Sequence, residues 1–433
     1  MTRPRNRSRS STIAALVVAA LASACTGPSG TPTPVAPTGA ASAPAGATTP
    51  AATGATTASS TATPTSPAPS SGPTSPPPDD PSSERCARAI VQDMTAAQRA
   101  GQLIMVGLDA NAARGSLDGL IRDRHVGGVI LLGGWSGGAD VVRATTKHLN
   151  SVADGSGGAP GLLLAADQEG GRVQQLRGDG FTRIPSALDQ GSLAPTELAR
   201  RAKTWAQQLH AVGINVNLAP VADTVPASIG RDNDPIGQWD RQFSSDPDVV
   251  ASRVAAFVEG MHQGRVATAV KHFPGIGRIT GNTDLTTDGI VDRTTTRTDS
   301  FLRPFASGVK AGTDLVMVGS AVYSRIDPGV QAVFSRRIVT DLLRGRLGYR
   351  GVVVTDDVGA AKAVADTPVG QRATRFVEAG GDIVLTARPS TVPTLHRALT
   401  SRMSANARFA SKVSAAATRI MTLKAALGLV GCD

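Results

Sequence analysis

Aromatic residues are scarce in this chain of 433 residues, in which Phe, Trp and Tyr together make up 3% of the sequence. The lysines and arginines are scattered, so neither base-stacking platforms nor a continuous phosphate-binding stripe is visible. The formal net charge of +10 falls to +6 when the four arginines of residues 1–25 are left out. These features argue against nucleic-acid binding, and we predict no nucleic-acid partner.

Histidine is scarce as well, and the six histidines form no HxxxH or HxH pair. A protein metal site needs such clustered ligands, so we predict neither a metal site nor a cofactor. The sequence also lacks a Gly-rich phosphate fingerprint at the start of a helix, which argues against a dinucleotide-binding enzyme.

Apolar runs of transmembrane length are missing too. The run at 13–21 is too short for a stable span, follows four arginines and precedes the small-residue motif ASAC at 22–25. This layout is typical of a secretory signal, and the motif is similar to a bacterial lipobox. We predict a signal peptide over residues 1–25 with lipidation of Cys25. Cleavage after Ala24 that leaves Cys25 free is the alternative.

Residues 26–82 consist almost entirely of Pro, Thr, Ser, Ala and Gly. Such a segment has no apolar periodicity that could offset the entropy of ordering it, so we predict a disordered tether. The folded domain is then expected over residues 83–433. A tether would hold this domain away from a lipid anchor, and the predicted location is extracytoplasmic, lipid-anchored to the cell membrane or secreted. We expect a monomer that contacts the membrane only through its lipid.

Only three cysteines occur in the chain. If Cys25 carries a lipid, Cys86 and Cys432 remain at the two ends of the folded region. In an oxidising compartment we predict that these two form a disulfide, which would contribute about 4 kcal/mol at most in the chain-entropy model. Two buried thiols are the alternative.

Eight short apolar runs rich in branched residues recur along the folded region. They are continuous instead of alternating, as expected for strands that are covered on both faces, and helical patterns separate most of them. This repetition predicts a parallel sheet closed into a (β/α)₈ TIM-type barrel as a single catalytic domain, with an open doubly wound sheet as the alternative. The runs lie at 103–108, 127–132, 162–167, 214–220, 267–273, 315–320, 351–357 and 382–387.

Polar residues stand at or just past the end of these predicted strands. In a barrel this end is the catalytic face, and acidic groups attached directly to apolar strands are costly unless they have partners or a role. A pair of carboxylates there suggests cleavage of a glycosidic bond, in which one group attacks carbon and another protonates the leaving oxygen. The residues are Asp109, Asp167, Asp223, Lys271, His272, Ser320, Asp356 and Asp357.

Four segments resemble successive motifs of family 3 glycoside hydrolases, in particular the bacterial β-N-acetylhexosaminidases of cell-wall recycling in a secreted lipoprotein form. They are DQEGGRVQQL (167–176), WDRQFSSDP (239–247), KHFPGIG (271–277) and GYRGVVVTDD (348–357). The resemblance implies a retaining exo-β-N-acetylglucosaminidase that acts on peptidoglycan-derived carbohydrate through a covalent glycosyl-aspartate. The alternatives are a β-glucosidase or phosphorylase of the same family, and a non-catalytic wall-sugar-binding lipoprotein.

The same resemblance implies roles for individual residues. Asp356, the first aspartate of TDD, is expected to be the nucleophile. The residues expected around the sugar are Asp167, Arg241, Lys271 and His272, together with Gln175, which stands where the family usually has arginine. One cationic contact would therefore be missing, although Arg177 lies close enough in sequence to reach the same space.

The loop that follows KHFPG departs from the family pattern. In the family it ends in Asp-x-His and the histidine supplies the proton, whereas this chain has Asn282 and Asp284 in those places. Three interpretations remain open. Asp284 could be the acid/base, with a pKa raised by apolar surroundings or by the charge of Asp356. Asp288 or an acid from another loop could enter, or the site could bind sugar without efficient turnover. Glycines 275, 277 and 281 predict a mobile loop.

Overall fold

The computed structural model describes residues 81–155 and 160–432. The predicted signal peptide, the lipidation site Cys25 and nearly all of the predicted tether lie outside the described residues. The first helix begins at Pro81, so the last two residues assigned to the tether already belong to this helix.

Eight parallel strands form the core of the described domain. From β1 to β7 each strand pairs with the next along the chain, β8 pairs with β1, and an isolated bridge between Val354 of β7 and Ile383, the residue before β8, closes the circle. The sheet therefore closes into the predicted (β/α)₈ barrel, and the open-sheet alternative is wrong. The strands are β1 (Ile104–Asp109), β2 (Gly128–Leu132), β3 (Leu163–Ala166), β4 (Val216–Asn217), β5 (Ala267–Phe273), β6 (Leu315–Val318), β7 (Val352–Thr355) and β8 (Val384–Thr386).

Helices cover the outside of this barrel. The helices α1 (Pro81–Asp93) and α2 (Ala96–Gln102) precede β1. Between the strands lie α3 (Asp118–Arg124), α4 (Gly138–Asp154), α5 (Ala187–Gly191), α6 (Pro195–Ala211), α7 (Pro247–Gln263), α8 (Arg303–Lys310), a π-helix (Arg337–Arg346) and α9 (Val369–Ala379). After β8 come α10 (Val392–Ala405) and α11 (Ala407–Ala426). None of the helices in the described part of the chain is long and apolar enough to cross a membrane.

Local sequence explains where several helices begin and which face they bury. Helix α7 starts at Pro247, directly after Asp246, whose carboxylate accepts a hydrogen bond from the N–H of Asp248 at 2.8 Å. This is an ordinary N-cap with proline in the first turn. Helix α6 buries Leu198, Ala202, Trp205, Ala206 and Leu209 against the barrel, the spacing of an amphipathic helix.

The ends of the domain are joined covalently. Cys86 in α1 and Cys432 near the C-terminus form a disulfide, with their Cα atoms 5.7 Å apart. Helix α1 packs against α11, so the first and last helices of the domain are neighbours as well as cross-linked.

Strand β5 differs from the other strands because it carries charged side chains into the core. All seven of its residues are buried, including Lys271 and His272. Burying an ammonium group without a partner would be strongly unfavourable, so the strand requires carboxylates on its neighbours. Those carboxylates lie at the carboxyl ends of β3 and β4, where the candidate site is found.

Candidate active site

The amino group of Lys271 is the centre of the first part of the site. Its Nζ lies 2.5 Å from Asp167 Oδ1, just after β3, and 2.6 Å from Glu169 Oε1. Burial lowers the pKa of Lys271, but the negative charges of Asp167 and Glu169 outweigh this effect and raise it. Lys271 is therefore a fixed cation that holds Asp167 at the barrel mouth, where the carboxylate stays partly exposed.

Glu169 joins the lysine to Arg241, which lies in the loop between β4 and α7. The guanidinium donates from Nε and Nη2 to the two carboxylate oxygens of Glu169 at 2.8 and 2.7 Å, and from Nη1 to the carbonyl of Pro235 at 2.8 Å. Burial alone would raise the pKa of Glu169, but Arg241 and Lys271 lower it to about 2. The same pairing raises the pKa of Arg241 against the effect of its burial. We call these four residues, Asp167, Glu169, Arg241 and Lys271, the charged cradle.

The sequence analysis missed Glu169. The signal was present in the motif DQEGG, because residues two apart on an extended segment share a face, which places Glu169 on the same side as Asp167. The partner Arg241 lies 72 residues further along the chain, so no local pattern could reveal the pair.

The ring of His272 is held by the carboxylate of Asp223, to which the sequence analysis gave no individual role. Its Nδ1 lies 2.7 Å from Oδ2 of Asp223, which is fully buried, and Asp223 Oδ1 accepts a hydrogen bond from the N–H of Ile276 at 2.8 Å. We assign the ring proton to Nδ1, because a carboxylate accepts hydrogen bonds. This leaves Nε2 as the nitrogen available to a ligand.

The two aspartates that follow β7 have different surroundings. The carboxylate of Asp357 accepts from the N–H groups of Gly359 at 2.7 Å, Ala360 at 3.1 Å and Ala387 at 2.9 Å, which ties the β7 loop to the β8 loop. Asp356 accepts only from the N–H of Asp357, through Oδ1 at 2.9 Å, among the described residues. Asp357 is therefore structural, and Asp356 keeps an oxygen available for chemistry.

The loop that carries Asp284 lies on the β7 loop. Its base is closed by hydrogen bonds from the N–H groups of Thr280 and Gly281 to the carbonyl of Gly289, both at 3.1 Å. Its middle is attached where the N–H of Lys362 donates to the carbonyl of Asp284 at 3.2 Å. A second bond of this kind, at 2.9 Å, links the next residue of the β7 loop to the carbonyl of residue 283. These bonds bring Asp284 to the segment that follows Asp356.

The pKa of Asp284 is raised to about 7, first by the protein that surrounds the carboxyl group and then by the negative charges of Asp356 and Asp357. The positive charge of Arg241 acts in the opposite direction. Water still reaches this side chain, which is exposed in the cleft. A substrate that displaced this water would raise the pKa of Asp284 further.

Two of the glycines in this region serve close contacts instead of mobility. A Cβ atom at Gly277 would lie 1.9 Å from the carbonyl oxygen of Thr224, and one at Gly281 would lie 1.9 Å from that of Asp288. No side chain fits in either place. The glycines are therefore explained by packing, and they are not evidence that the loop moves.

Gln175 lies beside the charged cradle with its amide oxygen already engaged. This oxygen accepts from the N–H of Gly134 at 3.0 Å, while the N–H of Gln175 donates to the carbonyl of Asp167 at 3.0 Å. Only the amide nitrogen is left to donate to a ligand. Arg177 donates instead to the carbonyl of Gln174 at 2.7 Å, and its exposed guanidinium is turned to that backbone.

The structure thus brings Asp167, Arg241, Lys271, His272, Asp284 and Asp356 to one end of the barrel. Across residues 81–155 and 160–432, no group of three or more His, Cys, Asp or Glu side chains is arranged to hold a metal ion. The site thus contains two carboxyl groups, of which Asp284 has a raised pKa, beside the ion pairs of the charged cradle. This arrangement is typical of a glycoside hydrolase.

Residues 95–423 match the model of the glycosyl hydrolase family 3 N-terminal domain, and the chain belongs to this family. A β-hexosaminidase of Xylella fastidiosa (strain M23) is 39% identical over 252 residues, which are 56% of this chain and 72% of that protein. A β-hexosaminidase of Stenotrophomonas maltophilia (strain K279a) is 38% identical over 237 residues, or 53% and 68% of the two chains.

Among solved structures, the β-N-acetylhexosaminidase from Beutenbergia cavernae is 47% identical, with a TM-score of 0.75 over 77% of this chain and 99% of that chain. A family 3 β-N-acetylglucosaminidase from a Paenibacillus species is 28% identical, with a TM-score of 0.68 over 78% of this chain and 63% of that chain. The resemblance to family 3 β-N-acetylhexosaminidases is confirmed, and so is the prediction of a glycoside hydrolase.

Proposed function

We propose that the protein is a retaining exo-β-N-acetylglucosaminidase that removes terminal N-acetylglucosamine from peptidoglycan-derived fragments. The observation that carries the proposal is the pair of Asp356 and Asp284, in which burial, followed by the charges of Asp356 and Asp357, raises the pKa of Asp284 to about 7. A retaining glycosidase needs one ionised and one protonated carboxyl at neutral pH. The named activity of the relatives supports the choice of sugar.

The charged cradle would bind the sugar. Asp167 accepts from Lys271 through Oδ1, and its Oδ2 makes no hydrogen bond within residues 81–155 and 160–432, so it can accept hydrogen bonds from hydroxyl groups. His272 can contribute Nε2, and the amide nitrogen of Gln175 can donate to the same ligand. Because the ion pairs of the cradle are formed within the protein itself, these groups do not need to reorganise when the sugar binds.

In the first step Asp356 attacks the anomeric carbon while the carboxyl proton of Asp284 passes to the glycosidic oxygen. The bond to the leaving group breaks, and a glycosyl ester forms on Asp356. The second sugar leaves as an alcohol, and Asp284 becomes a carboxylate. The arrangement predicts retention of the β configuration, since a second inversion follows at the same carbon.

In the second step Asp284 removes a proton from water, which attacks the anomeric carbon and releases Asp356. The electrostatics favour this reversal of roles. Esterification removes the negative charge of Asp356, and this charge is one of the causes that raise the pKa of Asp284. The pKa of Asp284 is therefore expected to fall when the intermediate forms, which suits a base.

We further propose that lipidation at Cys25 and a tether formed by the predicted segment ahead of α1 keep the barrel outside the cytoplasmic membrane as a monomer. The support is the sequence of residues 1–82, whose charged and apolar layout is typical of a secreted lipoprotein. Metabolic labelling with a fatty-acid probe tests the anchor, and a Cys25→Ser variant should lose the label and leave the membrane fraction.

The catalytic proposal is tested with purified protein and chromogenic substrates. Release of the chromophore from an aryl β-N-acetylglucosaminide, with little release from the matching β-glucoside, is the expected result. A product of retained configuration, observed by proton NMR during the first turnovers, supports the double displacement. No release from either glycoside by the folded protein would contradict the proposal, and an unchanged product mixture after addition of phosphate would identify water as the acceptor.

A further inference from the structure

The amino ends of the strands form the face of the barrel opposite the candidate site, and helix α11 lies along this face. Its Arg419 donates to the carboxylate of Asp382, two residues ahead of β8, at 2.7 and 2.9 Å. Its Lys424 donates to Gln102, two residues ahead of β1, at 2.6 Å. Because the amino ends of parallel strands lie at one face of a barrel, these contacts place α11 on the side away from the mouth.

Exposed cations collect around the start of this helix. Arg402 near the end of α10 and Lys412 in α11 both reach Glu378, near the end of α9. Arg402 pairs with its carboxylate, and Lys412 donates to its carbonyl at 2.6 Å. Arg408 lies between them along the chain, in the first turn of α11. Since α9 leads into β8, these three cations lie at the amino end of the barrel as well.

Two further cations come from the segment ahead of β7. Arg346 ends the π-helix, and Arg350 precedes β7 by two residues. Arg344 of the same segment donates to the carbonyl of Gly380 at 2.9 Å and to the carboxylate of Asp382 at 2.6 Å, so this segment adjoins the one that leads into β8. We call the five exposed cations the basic face: Arg346, Arg350, Arg402, Arg408 and Lys412.

The basic face has little negative charge to balance it. Residues 336–432 contain 15 Lys and Arg against 6 Asp and Glu, a formal net charge of +9, whereas residues 26–335 contain 25 against 27, a net charge of −2. Among the acids of residues 336–432 only Asp366 is exposed, and it follows β7, at the other end of the barrel. The side chains of Arg346, Arg350 and Arg408 make no ion pair or hydrogen bond within residues 81–155 and 160–432. Three of the five charges are therefore free.

The chain enters the domain on the same side. Helix α1, which begins at Pro81, packs against α11, and its Cys86 is bonded to Cys432 beyond the end of α11. The carbonyl of Leu429, in the same stretch, accepts from the N–H of Gly161, ahead of β3, at 2.9 Å. This end of α11 thus also lies at the amino ends of the strands. An anchor ahead of residue 81 would hold the domain from this end and not from the mouth.

We propose that the basic face rests on a bilayer that contains anionic lipid, with the mouth of the barrel pointing away from the membrane. Because the five cations lie at one end of the barrel, a flat surface can approach them together, which favours a bilayer as the partner. Among the described residues, the exposed large apolar side chains all lie outside residues 336–432, so the contact is electrostatic and needs no insertion. This contact adds to the lipid-only contact expected from the sequence and does not depend on the catalytic proposal.

Sedimentation with lipid vesicles tests the proposal. The protein is the predicted mature chain from residue 25 on, as Cys25→Ser, so that neither the four N-terminal arginines nor a lipid contributes. It should bind vesicles of phosphatidylglycerol and phosphatidylcholine in equal parts, should not bind pure phosphatidylcholine, and should be released by added salt. Absence of binding to the anionic vesicles at low salt overturns the proposal. Binding to soluble polyphosphate without binding to these vesicles also overturns it, and assigns the face to an anionic polymer.

The combined variant Arg346→Gln, Arg350→Gln and Arg408→Gln removes the three free charges without breaking a contact in the described residues. Its partition coefficient onto the anionic vesicles should fall on the order of 10²-fold, about fivefold for each cation at the surface. Release of the chromophore from an aryl glycoside should stay unchanged, because the three residues lie at the end of the barrel opposite the candidate site.

The matched control combines Arg183→Gln, Arg297→Gln and Arg325→Gln. These three arginines are also exposed, and they lie in loops that follow β3, β5 and β6, at the mouth end. The control changes the net charge by the same amount and should bind vesicles like the unmodified chain. Equal losses in the two triple variants would show that net charge alone drives binding, and they would overturn the basic face.

Spin labels report which end of the barrel meets the membrane. Ser411→Cys places a label on the exposed side of α11, and Thr298→Cys places one in the loop that follows β5. With Cys25 replaced and Cys86 bonded to Cys432, each introduced cysteine is the one free thiol of its variant. On anionic vesicles the label at 411 should be shielded from a water-soluble relaxation agent, and the label at 298 should not. Shielding at 298 that equals or exceeds that at 411 overturns the orientation.

Discussion

The two sides of the cleft handle charge in opposite ways. In the charged cradle, two cations and two carboxylates neutralise one another at distances of 2.5 to 2.8 Å, and the pKa of Glu169 is lowered to about 2. At the acid loop, burial and then the negative charges of Asp356 and Asp357 raise the pKa of Asp284 to about 7, and the positive charge of Arg241 only partly opposes them. Pairing keeps the first set ionised for binding, while burial and like charges keep a proton on Asp284.

The largest effect is expected from Asp356→Asn, which removes the nucleophile and one of the crowded charges together. Activity on every substrate should fall by roughly 10⁴-fold, the scale seen when a catalytic nucleophile is lost. The pKa of Asp284 should fall as well, because the charge of Asp356 helps to raise it. Carbon-13 NMR of the labelled carboxyl groups measures this pKa. An unchanged pKa of Asp284 would mean that the two groups do not interact.

Asp284→Ala should lower kcat/KM for disaccharides by roughly 10²- to 10⁴-fold, because the leaving oxygen then departs without a proton. Activated aryl glycosides need little protonation and should be affected far less in the first step. Azide should restore turnover by replacing the water that Asp284 activates, and it should give a glycosyl azide of retained configuration.

The control for this variant is Asp288→Ala, which changes another exposed carboxylate of the same loop. It should behave like the unmodified protein. If Asp288→Ala shows the leaving-group dependence and Asp284→Ala does not, the alternative acid of the sequence analysis is correct.

Glu169→Gln breaks the charged cradle instead of the acid loop. It leaves Lys271 and Arg241 buried with one carboxylate fewer, and the free energy of unfolding should fall by about 3 kcal/mol. Glu169 has a lowered pKa in the folded protein, so it stabilises the fold above its ordinary pKa of 4.5, and this stability is lost as the pH falls toward about 2. Denaturant titration at several pH values measures the effect.

Glu197→Gln is the matched control, because Glu197 pairs with Arg200 and Arg201 on the surface of α6. Surface pairs of this kind contribute little to stability, so the control should unfold like the unmodified protein. Equal stability of Glu169→Gln and Glu197→Gln would show that the cradle is not needed to hold β5 in place.

The smallest effect is a change in the pH profile. The first step needs the protonated form of Asp284, which predominates below its pKa of about 7 and is lost above it. For disaccharides, kcat/KM should therefore fall on the alkaline side by about tenfold per pH unit. This alkaline fall in kcat/KM should be shallower with activated aryl glycosides and absent in Asp284→Ala. If the fall persists in this variant, another group causes it.

The sequence was most informative where structure depends on short segments. The run at 267–273 coincides with β5 (Ala267–Phe273), since its branched residues are buried on both faces. The run at 214–220 predicts a strand of seven residues, but β4 has only two. The run includes Pro220, which has no N–H to donate to a neighbouring strand. The positions of Asp167, Lys271 and Asp356 at the ends of strands were read from the sequence, whereas Arg241 was expected only from the family resemblance and Glu169 was missed.

The remaining features depend on contacts between distant segments. The pairing of Glu169 with Arg241 spans 72 residues, and the bond from Lys362 to Asp284 joins two separate loops. No periodicity encodes either contact. The raised pKa of Asp284 follows from this docking, so the sequence could propose the acid but could not show what keeps its proton.

The disulfide between α1 and the C-terminus has a mechanical consequence. Tension applied to the chain ahead of Pro81 enters α1 and passes through Cys86 to Cys432, and from there to α11. The load is shared by the first and last helices, so the domain cannot be unravelled from its first residue while the bond is intact. If the proposed anchor at Cys25 holds the protein, a pull on that anchor would load both ends of the domain at once.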